Sequence, residues 1–222
     1  MGILTGIVGF SGSGKSSSMR TLVGSNGRFD KDTFLIRVLR KPLPFKNKLK
    51  AWDKDKRDGD FIYLENGNQI AQAIKVFSEE YGKKRIIVDD STFTMVKFFM
   101  DNISDKGWDK FSVLAEQYYN ILKTAEATPD DCRVYLVNHL EEGQYGRLLF
   151  KTIGKLISEK VDIPAMMTII LQAERDDQGY WFITNKRTDN DVAKSPFDMF
   201  NDVKIQNDLQ LVDKTICDYY GI

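Results

Sequence analysis

The chain has 222 residues, with 32 Lys plus Arg against 32 Asp plus Glu and 42% hydrophobic residues. That apolar content suffices for one well-filled α/β domain spanning residues 1–222. A formal net charge of zero excludes a protein that grips nucleic acid over its whole surface, so any such partner must meet a local patch or an oligomeric channel.

Met1 leads into a strand-like run without a basic leader, and no stretch approaches the roughly 18 apolar residues that span a membrane. A soluble cytoplasmic protein with no membrane partner is expected. Cys132 and Cys217 lie far apart and fit no metal-ligand spacing, which reads as two reduced thiols.

In chain order, Ile3–Phe10 is a short apolar run ending near glycine, as in a buried parallel strand. Lys15–Gly24 reads as a helix stopped by Gly24. Thr33–Arg40 and Phe61–Glu65 are strand candidates, separated by a polar, proline-interrupted stretch that reads as a long loop. Asn68–Gly82 has helical spacing through Ile70, Ala73, Ile74 and Phe77, and Arg85–Asp90 is a compact strand. Two helices follow, over Phe93–Ile103 and Phe111–Ala127, then a strand over Cys132–His139. Pro164–Glu174 and Gly179–Arg187 read as a hairpin, and Asp208–Gly221 as an amphipathic closing helix. The alternation predicts an α/β fold: a mostly parallel central sheet flanked by helices, with antiparallel strands near the C-terminus.

The segment "GFSGSGKSS" carries the sharpest chemistry. Gly9, Gly14, Lys15 and Ser16 fit G-x-x-x-x-G-K-[ST] between a strand and a helix. Glycines let such a loop fold around phosphates and aim its backbone N–H groups inward. Gly9, Ser11, Gly12, Ser13, Gly14, Lys15, Ser16 and Ser17 are therefore candidate phosphate contacts. Lys15 would reach the β/γ-phosphates and the Ser16 hydroxyl would sit on Mg²⁺.

A metal held there needs an acid at the end of a neighbouring strand, and "RIIVDDS" supplies Asp89 as the metal-side carboxylate. Asp90, or Glu65 at the end of "FIYLE", could orient an attacking water; Asp90 reads equally as a helix N-cap, and Glu65 as a solvated acid. "YLVNH" places Asn138 and His139 at another strand's C-terminal end, where ligand sites of open α/β sheets lie; a polar residue there reads as a γ-phosphate sensor, and His139 reads equally as a satisfied structural histidine. The guanine-reading N-K-x-D pattern is not met, because Thr188 follows Asn185 and Lys186 at the acid position. ATP is the expected nucleotide.

The succession of "GFSGSGKS", "RKPLPF", "IIVDDS", "VNH", "KTIGKLI" and "KSPFDMF" resembles phage-type AAA ATPases with a RecA-like core, similar to RecA-related single-strand-annealing recombinases. The resemblance implies a RecA-like ATPase using ATP and Mg²⁺, single-stranded DNA as ligand, and action as a homo-oligomeric ring or filament. A phage origin would place it in the host bacterial cytoplasm, where a single-strand-binding protein is a further partner. Carried over, Gly9 to Ser16 bind phosphate, Asp89 is the metal-side acid and His139 the polar sensor. Lys151 and Lys155 fall where a basic residue would reach a neighbouring subunit's phosphate.

For DNA, Arg40–Arg57 interleaves Lys41, Lys46, Lys48 and Lys50 with Phe45 and Trp52, cations for the backbone and aromatic faces for bases. The plainer reading makes this a charged surface loop anchored by Pro42, Pro44 and Phe45. "GQYGR", with Tyr145 and Arg147 just after the sensor strand, is a second candidate contact. Two rival functions fit the same phosphate loop: a small-molecule kinase, and an ATP-gated assembly factor without DNA binding. Scattered arginines and a Lys-rich longest loop speak against the kinase lid.

Overall fold

Strand β1 (Ile3–Gly9) is buried along its whole length and ends at the glycine that opens the phosphate-type loop. The computed structural model describes residues 1–107 and 109–222, and among these all side chains but those of Lys155, Ser158 and Glu159. After the loop come a 3₁₀ helix (Ser16–Leu22), β2 (Thr33–Arg37), β3 (Phe61–Tyr63), α1 (Gly67–Glu79) and β4 (Arg85–Asp89). Next are α2 (Thr92–Asp101), α3 (Asp109–Glu126), β5 (Arg133–Glu142) and β6 (Leu148–Phe150). The chain continues through α4 (Lys155–Lys160), α5 (Ile163–Met166), β7 (Ile169–Asp176), β8 (Gly179–Ile183), β9 (Lys204–Gln206) and α6 (Leu209–Tyr220).

Among the described residues the strands form one sheet in the order β3-β2-β4-β5-β1-β7-β8-β9, with β6 paired to β5. Pairing is parallel from β3 to β7 and antiparallel beyond, at β7–β8 and β8–β9. The expected α/β class is therefore present, a mostly parallel sheet with antiparallel additions near the C-terminus. Alternation in the strands divides the core between two faces. Val8, Ile86, Val88, Val134 and Leu136 pack towards α1 and α3. Ile7, Ile87, Tyr135 and Val137 pack with Met19 and Leu22 of the 3₁₀ helix and with Val212 and Ile216 of α6. Asp89 continues the Ile87 face, which turns it towards the loop rather than away from it.

Three sequence expectations change. The helix over Lys15–Gly24 is only the short 3₁₀ element, because Ser18 Oγ and Thr21 Oγ1 donate to carbonyls three residues back and compete with α-helical bonding. The strand expected from Pro164 starts at Ile169 instead: Asp162 accepts from the Ala165 amide and nucleates α5, with Pro164 in its first turn. The short strands β6 and β9 lay in segments with no strand pattern of their own.

The closing helix docks on its own sheet. Asp213 of α6 accepts from Arg85 Nη2 (2.5 Å), Arg133 Nε and Nη2 (3.0 Å each) and Tyr135 Oη (2.7 Å). Asp208 caps its start and Gly221, in the left-handed region, ends it. Cys132 is buried, and both cysteines are free. Among the described residues no helix is long and apolar enough to cross a membrane.

Candidate nucleotide-binding site

The loop turns tightly at Gly9 and Gly14, where there is no room for a side chain. A Cβ on Gly9 would stand 2.5 Å from Ser13 Oγ and 2.7 Å from the Ala173 carbonyl. At Gly14, φ is +94° and a Cβ would meet Tyr180 Cδ1 at 2.5 Å, so both conformation and space demand glycine. Ser11 and Gly12 crown the loop and are exposed, while Ser13 and Lys15 are buried. Ser17 is half-buried, and its carbonyl accepts from Arg20 Nη1.

Lys15 folds back on the loop, with Nζ donating to the Gly9 carbonyl (2.8 Å) and the Phe10 carbonyl (2.7 Å). Burial lowers its pKa to about 8 against the pull of Asp90 and Asp89. Ser16 Oγ donates to Asp89 Oδ1 at 2.8 Å, joining the loop to the acid strand across the sheet. Burial, reinforced by the Asp90 charge, pushes the Asp89 carboxyl above its ordinary range.

Asp90 is buried and has φ +61°, an uncommon conformation outside glycine. Its carboxylate caps no helix. Oδ2 takes Lys41 Nζ at 2.6 Å and Oδ1 faces His139 Nε2 at 3.4 Å. Burial acts to raise this carboxyl, but the hydrogen bonds from His139 and Lys41 prevail and hold it below its usual range. His139 lies beside Gly9 in the β1–β5 register, so β5 touches both loop and acid. Asn138 is buried beneath, its Oδ1 accepting from Ser91 Oγ (2.5 Å) and Tyr118 Oη (2.7 Å).

Glu65 is not brought to the loop. It follows the edge strand β3, with β2, β4 and β5 standing between it and β1. Four strand spacings amount to ~19 Å, and the carboxylate pairs with Lys97 at 2.5 Å. Lys151 joins the site by backbone, its amide donating to the His139 carbonyl at 2.9 Å, with an exposed side chain. The Lys155 side chain lies outside the described residues.

The loop residues fit a phosphate ligand on an observation independent of the motif. Ser13 Oγ is buried in the cradle with no hydrogen-bond partner, and the Lys15 ammonium is satisfied only by carbonyls of its own loop. Ser16 and Asp89 fit Mg²⁺, which favours one or two protein oxygens completed by phosphate and water.

No protein-family profile matches the chain, and no curated protein matches it in sequence. Among solved structures it is similar to a KaiC-like protein from the hyperthermophilic archaeon Pyrococcus horikoshii, at 11% identity over 81% of this chain and 76% of that one, with a TM-score of 0.41.

Three features of the site gave no local signal in sequence. Tyr180 covers Gly14 only because β8 folds back along β7. Arg37, at the end of β2, lies over the Phe61 and Tyr63 rings and donates to Tyr63 Oη and the Lys41 carbonyl. Lys41, read from sequence as a DNA contact, instead reaches Asp90.

The aromatics of the same loop are also spent differently. Phe45 packs on the core beside Leu43 and Leu49, and Trp52 sits edge-on to Phe34, Phe77 and Tyr81 at 4.8–5.5 Å. Both rings anchor the loop, Phe45 as its plainer reading had it and Trp52 against the expectation of a base-stacking face, so bases cannot stack on them without displacing core contacts. Tyr145, by contrast, is 95% exposed at the tip of the β5–β6 hairpin, with φ +58°. The "KSPFDMF" segment docks: Lys194 exchanges both backbone bonds with Ile170, and Met199 is buried.

Proposed function

We propose that the chain is a P-loop ATPase with a RecA-like core, using ATP and Mg²⁺ and acting on single-stranded DNA in phage recombination, annealing or replication. The observation that carries the nucleotide reading is the 2.8 Å bond from Ser16 of the loop to the buried Asp89 of the acid strand. Bound Mg²⁺ would be held by Ser16 and Asp89 and would supply charge neutralisation at the phosphate oxygens. Lys15 would exchange the Gly9 and Phe10 carbonyls for phosphate oxygens of the nucleotide. Asp90 beside His139 is the better placed acid to orient an attacking water, because Glu65 is held at the far rim by Lys97. ATP is favoured over GTP, since Asn185 of the near-miss guanine motif accepts from the Ser195 amide instead.

The DNA reading is supported by the hairpin that continues β5 past His139. It carries Tyr145 and Arg147 into solvent, and its return limb is tied to the His139 carbonyl through Lys151. A ligand on that tip is thus a few residues from the phosphate sensor. A homo-oligomeric ring or filament, with Lys151 offered to a neighbour, and a single-strand-binding protein as further partner belong to the same proposal.

The test is the steady-state ATPase rate with and without single-stranded DNA at low salt, with Lys15→Ala as the blank. Lys15-dependent turnover raised by DNA is the expected result, and the stimulation should fade with added salt. Tight ATP binding without a DNA effect would turn the reading to a small-molecule kinase or an ATP-gated assembly factor.

A further inference from the structure

Resting on the ATPase reading, we infer that Lys41 is a catalytic residue that grips the terminal phosphate of ATP from within the same chain. It leaves β2 at the end of the sheet where the phosphate loop opens, next to the acid strand β4. Its ammonium stands 2.6 Å from Asp90, whose neighbour Asp89 is bonded to Ser16. The cation therefore occupies the acid side of the cradle, where the end of the triphosphate chain must point if the metal-side residues are to meet it. Lys41 and Lys15 are close enough to feel each other's charge.

The backbone of Lys41 is fixed while its side chain stays half-exposed. Arg37, held over the Phe61 and Tyr63 rings, donates to the Lys41 carbonyl, and Pro42 follows immediately. The side chain itself is 50% exposed and lies on a carboxylate that also faces His139. A flexible, strongly hydrated ammonium on a clamped stem suits a point-charge contact to phosphate. Both lysines of the site thus rest on protein oxygens, Lys15 on carbonyls and Lys41 on a carboxylate, and a γ-phosphate offers each a better partner.

In the reaction, the water oxygen bonds to the γ-phosphorus as its proton passes to Asp90 and on to solvent, and the bond to the β–γ bridging oxygen breaks, leaving its electron pair on ADP. Lys41 keeps its protons throughout and faces the oxygens on which negative charge collects. A charge supplied in this way acts beside any basic residue that a neighbouring subunit offers.

The test compares binding of ADP and of a non-hydrolysable ATP analogue, with Mg²⁺, by calorimetry on the full chain. Wild type, Lys41→Ala, Lys41→Arg and Lys15→Ala are measured, with thermal melts to confirm folding. Lys41→Ala should weaken the ATP analogue about 10- to 100-fold, leave ADP within about twofold, and lower kcat by about 10²–10³. Lys41→Arg should restore the preference for the analogue. Equal loss for both nucleotides, no loss for either, or a faster ATPase in Lys41→Ala would overturn the role and leave Lys41 a clasp for its loop. Failure of wild type to bind either nucleotide would instead sink the ATPase reading itself.

Discussion

Lys15 shows what a buried charge does to its own protein. Burial sets its pKa at about 8 in the fold against 10.5 ordinarily, so the unfolded chain binds more protons between those values. Its unfavourable contribution is fully present below pH 8 and fades as pH rises through that window. Urea midpoints of the nucleotide-free protein should therefore gain more, or fall less, from pH 7.5 to 10 in wild type than in Lys15→Met. Identical slopes would contradict the burial account. The loop and Asp89 were legible in sequence because phosphate binding needs fixed residue types at fixed spacing. Glu65 was misleading for the opposite reason. A sequence marks the end of a strand but not its rank in the sheet, and β3 proves to be the rim. The contact of Lys41 with Asp90 joins residues 49 positions apart and has no local mark.

At the scale of elements, α6 is fastened by one carboxylate shared among two guanidiniums and a phenol. Burial acts to raise the Asp213 carboxyl, but hydrogen bonds from Arg133 and Arg85 hold it at about 2 against 3.8 ordinarily. A carboxylate with a depressed folded pKa contributes stability above its unfolded value, and that contribution drains away as pH falls from about 4 to about 2. Asp213→Asn should cost about 3–5 kcal/mol by leaving the buried Arg133 without a counter-charge and Arg85 with only the exposed Asp30, and should flatten that acid limb in denaturant melts. The β5–β6 hairpin carries the other element-level expectation. Tyr145 holds a left-handed conformation at an exposed tip, so Tyr145→Gly should leave stability within about 1 kcal/mol. The same change should cut DNA stimulation several-fold, and undiminished stimulation would move the contact elsewhere. The helix expected after the loop is only a 3₁₀ element because Ser18 and Thr21 offer the backbone alternative partners, a competition that apolar spacing does not register.

On the scale of the whole molecule, β5 stands between the loop strand and the acid strand. That order places His139 between Gly9 and Asp90, and lets the same strand run from the Asp213 cluster at one end to the hairpin tip at the other. The alternation of strands and helices announced the α/β class, but strand order depends on crossovers that no local pattern encodes. The rims of the sheet carry a consequence of another kind. At one rim the residues around Lys50–Trp52 bond to Asp60 and Phe61 and cover the start of the three-residue β3; at the other, β9 is three residues long and carries Lys204, paired with Asp176. Little naked backbone is left for a second copy to extend. Strand-to-strand pairing between copies is thus disfavoured at both rims, which works against edge-seeded aggregation.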